Sequence, residues 1–116
     1  MSVGRAYVAF DLDQVPHGDI QDFLHWFDLA AEFDDDSGAT TPELTRWYEA
    51  LRAQYQPTPG WDGTKYFVAQ DFVWARINDA AAEDTARQLA RELGVGFYIT
   101  GDSTIKVELP DDTVIA

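Results

Sequence analysis

The fold is decided by the stretch Lys65-Tyr66-Phe67-Val68-Ala69-Gln70-Asp71-Phe72-Val73-Trp74-Ala75-Arg76-Ile77. Aromatic and β-branched residues fill it on both sides of one polar pair, Gln70-Asp71. Two runs of this composition around a short polar turn are typical of a β-hairpin. We therefore predict a hairpin over residues 65–77, and we expect the other elements to pack around it.

Outside the hairpin, strand-like and helix-like patterns alternate along the chain. Strands are predicted at residues 6–12, 95–99 and 104–109. Apolar residues at helical spacing predict three helices, which begin after Asp19, after Thr41, and after Asn78 or Asp79. Side chains of these types cap helix N-termini by accepting a hydrogen bond from a backbone N–H group. The predicted order is therefore β-α-α-β-β-α-β-β.

This order predicts the fold class. If the last strand is set aside and the two early helices count as one crossover, the order becomes βαββαβ, the ferredoxin-like arrangement. We predict an α+β fold: a ferredoxin-like β-α-α-β-β-α-β(-β) sandwich with a mostly antiparallel sheet and helices on one face. The 116 residues are expected to form a single domain, with residues 110–116 as a flexible tail.

The charge of the chain is strongly negative and unevenly distributed. The formal net charge is -13, from 21 acidic and 8 basic residues. Residues 1–36 alone carry nine acids and one base. Such a protein repels nucleic acid and anionic membranes and attracts basic partners. We therefore expect no nucleic-acid binding and no membrane binding.

The sequence lacks the residues and segments that several functions require. The chain has no cysteine, so it has no disulfide, thiolate zinc site or cysteine nucleophile. It has no apolar segment long enough to span a membrane, and no apolar leader precedes the first strand, so we expect a cytoplasmic protein. For the two histidines, His17 and His25, neither the spacing nor a second-ligand pattern supports a metal site, and a catalytic triad is recognised by geometry rather than by sequence. We predict no enzyme activity, no metal and no cofactor.

Two acidic motifs raise the alternative that the protein binds a divalent metal ion. Asp11-x-Asp13 follows the first strand, where paired aspartates can hold magnesium, so a small metal-dependent enzyme or ligand-binding domain is one alternative function. The acidic loop at residues 34–38 fails the EF-hand pattern, because Phe33 and Leu44 would occupy the positions of the first and last acidic ligands. A solvated acidic loop is the simpler interpretation.

Three segments are similar to a group of small acidic bacterial proteins. They are Thr41-Pro42-Glu43-Leu44-x-x-Trp47-Tyr48, Phe72-Val73-Trp74-Ala75 and Leu93-Gly94-Val95-Gly96-Phe97-Tyr98. The group has no established activity, and some of its members resemble immunity proteins of polymorphic toxin systems. The chain departs from the group at Ile99-Thr100, where an aspartate is usual, and in a shorter acidic insertion before the hairpin.

Charge and resemblance together favour a non-enzymatic acidic binding protein that neutralises a basic partner, most plausibly a toxin. Long-range attraction would speed the encounter, and an aromatic side chain would supply a buried anchor. The predicted partner-binding residues are Asp28, Glu32, Asp34, Asp35 and Asp36, with Trp61 and Asp62 as a possible rim. A housekeeping structural protein, monomeric or a homodimer through an exposed strand edge, remains the third alternative.

Overall fold

The computed structural model describes residues 6–33, 40–60, 63–77, 79, 81–100 and 106–115, with the backbone alone for 31–33. Its elements are β1 (Ala6–Phe10), α1 (Ile20–Phe33), α2 (Pro42–Gln54), β2 (Lys65–Val68), β3 (Phe72–Arg76), α3 (Ala82–Leu93), β4 (Gly96–Thr100), β5 (Val107–Glu108) and β6 (Val114–Ile115). Within these ranges, no helix has both the length and the apolar character that crossing a membrane requires.

The six strands form one antiparallel sheet in the order β2-β3-β1-β4-β5-β6. The predicted hairpin is confirmed: Phe67 faces Trp74 across β2 and β3, and Ala69 N donates to Phe72 O over 2.9 Å beside the turn. The order β2-β3-β1-β4 is the one that a ferredoxin-like βαββαβ unit produces. The predicted α+β class is therefore confirmed.

The helices divide between the two faces of the sheet, where we had expected all of them on one face. α2 and α3 pack with Tyr7 and Ala9 of β1, whereas α1 packs with Val8 and Phe10 on the opposite side. All five residues of β1 are buried and apolar. Because successive side chains of a strand point to opposite faces, such a strand needs a cover on both. α2 and α3 make the ferredoxin-like layer, and α1 supplies the second cover.

An aromatic cluster joins α1 to the sheet. Phe23 lies at the centre, 4.9 Å from the ring of Phe10 and 5.0 Å from the ring of Tyr98, measured between centroids. Phe27, one turn later, lies 5.4 Å from Tyr98 and 5.9 Å from Phe72 in edge-on arrangements. Aromatic pairs prefer such tilted geometry, which adds to the free energy gained from burial.

The start of α2 and the end of α3 follow the sequence signals, whereas the start of α3 does not. Thr41 caps α2, because its Oγ1 accepts a hydrogen bond from Leu44 N over 3.2 Å. The prediction that Asn78 or Asp79 caps α3 is wrong: the N-cap is Ala81, without a side-chain cap, and Asp79 Oδ1 instead accepts from Ala81 N over 2.9 Å in the turn before the helix. Gly94 ends α3 in the left-handed conformation with φ of 73°, which glycine adopts without steric cost.

Part of the segment predicted to be a tail belongs to the sheet. Leu109 N donates to Thr113 O over 2.8 Å, and Val114 and Ile115 pair with β5 as strand β6. Asp112 makes the turn with φ of 71°, a conformation that aspartate tolerates better than most residues. Two residues are too few to show a strand period in the sequence, so the pattern did not predict β6.

An ion-pair network connects α3 to β5. Arg87 Nε donates to both carboxylate oxygens of Glu108, over 2.9 and 3.1 Å, while its Nη2 lies 3.2 Å from Glu83 Oε2. The guanidinium also lies over the ring of Phe97, 5.5 Å from the centroid. Burial disfavours the charged guanidinium, but the hydrogen bonds to Glu108 and Glu83 outweigh it and raise the pKa of Arg87. The network therefore joins elements that are distant in the sequence.

Replacing Glu108 with glutamine is expected to lower the free energy of unfolding by about 1–2 kcal/mol. The reason is that the hydrogen bond from Arg87 to Glu108 loses its ionic character at a position with little access to water. The side chains of Arg87 and Glu108 are only 21% and 11% exposed. Asp112→Asn is the matched control, because the pair of Asp112 with Arg91 is 73% and 46% exposed. Exposed pairs contribute little, so urea unfolding of the control should change by less than about 0.5 kcal/mol. Equal losses in the two variants would contradict the expectation.

Candidate functional site

Most of the predicted partner-binding residues lie outside the described part of the chain. Asp28 is described: it lies in α1 and its side chain is exposed. Glu32 also lies in α1, but its side chain is outside the described atoms. The other predicted partner-binding residues lie outside the described part of the chain; they are Asp34, Asp35, Asp36, Trp61 and Asp62. The structure therefore places only the start of the predicted acidic patch.

The outward side of α1 is acidic, and we name it the acidic face. Its exposed side chains include Asp22, His25, Asp28 and Leu29. Leu29 is 46% exposed, which is unusual for a large apolar side chain in this structure. α1 contains no lysine or arginine, and residues 6–45 as a whole hold ten acidic residues and no basic one. The carboxylates of the acidic face therefore have no lysine or arginine near them in the sequence.

The opposite face of the molecule is electrically mixed. α2 carries Glu43 and Glu49 alternating with Arg46 and Arg52, all exposed. On α3, carboxylates and arginines form ion pairs such as Arg87 with Glu83. Charges of both signs at short range cancel each other at a distance. The helices on the two faces of the sheet therefore differ: α1 is acidic, whereas α2 and α3 together are close to balanced.

An apolar groove opens beside α1, and we name it the aromatic groove. The described residues that line it are Phe27, Phe67, Phe72, Trp74 and Thr100, and its volume is about 420 Å³. Phe67, Trp74 and Phe27 are half-buried, whereas Phe72 is buried at the base. The rings of Phe67 and Phe72 stack with centroids 5.9 Å apart. A groove of this size and lining is suited to an apolar side chain.

Charged residues are close to the aromatic groove on both α1 and the hairpin. On the side of α1, Asp28 follows Phe27, and its carboxylate adds to burial in raising the pKa of Tyr98. On the side of β2, Lys65 and Arg76 face each other two residue pairs beyond Phe67 and Trp74, on the same face of the hairpin. The guanidinium of Arg76 is directed to the backbone, since its Nε donates to Gly63 O over 3.2 Å.

The alternative site at Asp11 and Asp13 is a backbone turn in the structure. Asp11 Oδ1 accepts a hydrogen bond from Asp13 N over 3.0 Å, and Asp11 O accepts from Val15 N over 3.0 Å. The carboxylate of Asp11 thus stabilises the turn that leads to α1. Within the described ranges, no group of three or more His, Asp or Glu side chains is placed to hold a metal ion.

Sequence reasoning missed the aromatic groove, although its components were visible. The alternation along β2 and β3 puts Phe67, Phe72 and Trp74 on one face of the hairpin, and helical spacing puts Phe27 on the inner stripe of α1. Their meeting depends on α1 lying against that face. Because the prediction put all helices together, it could not place these rings beside one another.

No protein-family model matches this chain, and neither a curated protein nor a solved structure does. The resemblance to small acidic bacterial proteins therefore remains a prediction from the three segments quoted above.

Proposed function

We propose that the protein is a non-enzymatic binding protein of the cytoplasm that neutralises a basic protein partner, such as a toxin, through its acidic face. The observation that supports this proposal best is the separation of charge between the two sides of the fold. Asp22 and Asp28 project from a helix without basic residues, whereas the helices on the other side carry both signs. The proposed surface continues along the chain through Glu32 and Asp34 to Asp36.

An unbalanced acidic surface attracts a basic partner before the two proteins touch. A net charge of -13 attracts a basic protein over distances comparable with the Debye length, about 8 Å at physiological salt. Attraction orients the partner where acidic residues are not balanced by basic ones, and α1 carries Asp22 and Asp28 without any lysine or arginine. Oriented encounter raises association rates, often by factors of about ten or more, and the rates fall as salt increases. Fast capture is what a neutralising protein needs.

The test is a pair of double variants with the same change in net charge. Asp22→Lys with Asp28→Lys alters the acidic face; Glu43→Lys with Glu49→Lys is the matched control on α2. In both pairs the first residue lies in the first turn of its helix, the second lies six positions later, and all four side chains are exposed. The partner is first isolated from a lysate of the source organism at low salt, and its association rate is then measured with each protein.

We expect the α1 variant to associate about tenfold more slowly and to lose much of the dependence on salt. The α2 variant should associate at nearly the rate of the unaltered protein, since the charges that it reverses lie away from the docking side. Equal slowing in the two variants would mean that only net charge matters and would contradict the assignment of the face. Retention of no basic protein at low salt would contradict the proposed function itself.

A further inference from the structure

We propose that the aromatic groove receives an apolar side chain of the basic partner, so that the complex combines one buried anchor with cations on the acidic face. This inference rests on the proposed function, and it adds the chemistry of the anchor. The groove lies directly beside α1, because Phe27 lines it while Asp28 lies on the exposed side of the same turn. A single segment of a partner can therefore reach both surfaces.

The lining of the groove favours an apolar occupant. Four of its five described lining residues are aromatic, and none of them is a carboxylate. Lys65 pairs with Arg76 two residue pairs from Phe67 and Trp74, on the same face of the hairpin, and Lys65 is exposed. The positive charge of Lys65 would repel a lysine or arginine that entered the groove, despite the attraction of aromatic rings for cations. The cations of the partner are therefore expected over Asp22 and Asp28, with its apolar side chain in the groove.

Charge also selects a basic partner over a second copy of this chain. Two copies that docked with α1 against α1 would bring two acidic faces together, each without lysine or arginine in the helix. Like charges at close approach oppose such a dimer, most strongly at low salt. A basic segment of a partner with one apolar residue can place that residue in the aromatic groove and its cations on the acidic face.

The experiment uses short peptides of defined composition with the whole protein at low salt. One peptide has four lysines around a central leucine, and its twin has serine in place of leucine. Binding is followed by the amide and indole N–H resonances of the ¹⁵N-labelled protein. We expect the leucine peptide to bind about tenfold more tightly than the serine peptide, because a leucine side chain leaves water. Only the leucine peptide should shift the resonances of Phe67 and Trp74.

Two variants test the groove itself. Trp74→Gln removes a ring from the lining, and Thr100→Leu fills part of the space. In both we expect the ratio of the two affinities to fall towards one, while the serine peptide binds as before. Partial loss of stability cannot imitate this result, because both peptides bind the same folded fraction of the protein.

The outcomes separate the two proposals. Equal affinity of the leucine and serine peptides for the unaltered protein would overturn the apolar anchor and leave the acidic face in place. Equal binding of a third peptide, with leucine but with glutamines for lysines, would leave an apolar site and overturn the basic partner. Shifts of Phe67 and Trp74 on concentrating the protein alone would identify a second copy as the occupant and overturn the inference.

Discussion

Replacement of Trp47 with alanine is expected to lower the free energy of unfolding by about 3–5 kcal/mol, which is a large part of the stability of a domain of this size. Trp47 lies in α2, is 0% exposed, and is the largest of the fully buried side chains. Its indole Nε1 donates to Ala86 O in α3 over 3.0 Å. The substitution therefore leaves a cavity and removes a hydrogen bond between the two helices of the ferredoxin-like layer.

Trp47→Phe separates the cavity from the hydrogen bond. Phenylalanine keeps most of the buried ring but has no donor for Ala86 O, so we expect a loss of about 1–2 kcal/mol. Urea unfolding followed by far-ultraviolet circular dichroism measures both variants without relying on tryptophan fluorescence. If alanine cost no more than phenylalanine at this position, the packing of α2 against α3 described above would be contradicted.

Replacement of Gly96 with alanine is expected to destabilise the fold by about 1–3 kcal/mol, as an overpacked core does. A Cβ atom built on Gly96 would overlap the ring of Phe10, which faces it across β1 and β4. That ring cannot move aside easily, since it is 0% exposed and packs against Phe23. The reason for glycine here is space above the strand rather than an unusual backbone conformation.

Two further variants test this explanation by thermal and urea unfolding. Gly18→Ala is the matched control, because a Cβ there would meet nothing within 4 Å and should change stability by less than about 0.5 kcal/mol. Combining Gly96→Ala with Phe10→Leu should cost less than the sum of the single changes, because the smaller side chain makes room for the methyl group. Strict additivity would show that the two residues do not compete for space.

Local features of this fold could be predicted because their causes are local. The hairpin follows from alternation around Gln70-Asp71, the cap of α2 from Thr41-Pro42, and the end of α3 from Gly94. Each depends on residues within a few positions of one another, whose hydrogen bonds and dihedral angles the sequence displays. The acidic character of α1 is likewise a property of composition.

Contacts between distant residues could not be predicted in this way. Arg87 and Glu108 are 21 positions apart, and Trp47 and Ala86 are 39 apart, so no local period connects them. Gly96 is visible as a glycine, but the ring above it is known only from the register of β1 against β4. Such contacts depend on which strands become neighbours.

By itself, the sequence determined the types and order of the elements from β1 to β5, the α+β class and the excess of acid in the first part of the chain. Only the tertiary structure decided that α1 covers the face of the sheet opposite α2 and α3. The physical reason is that β1 is apolar on both faces, so the alternation of its side chains shows that two covers are needed without showing which helix supplies each. That choice brings Phe27 beside Phe67 and Trp74, and it separates the acidic face from the mixed one.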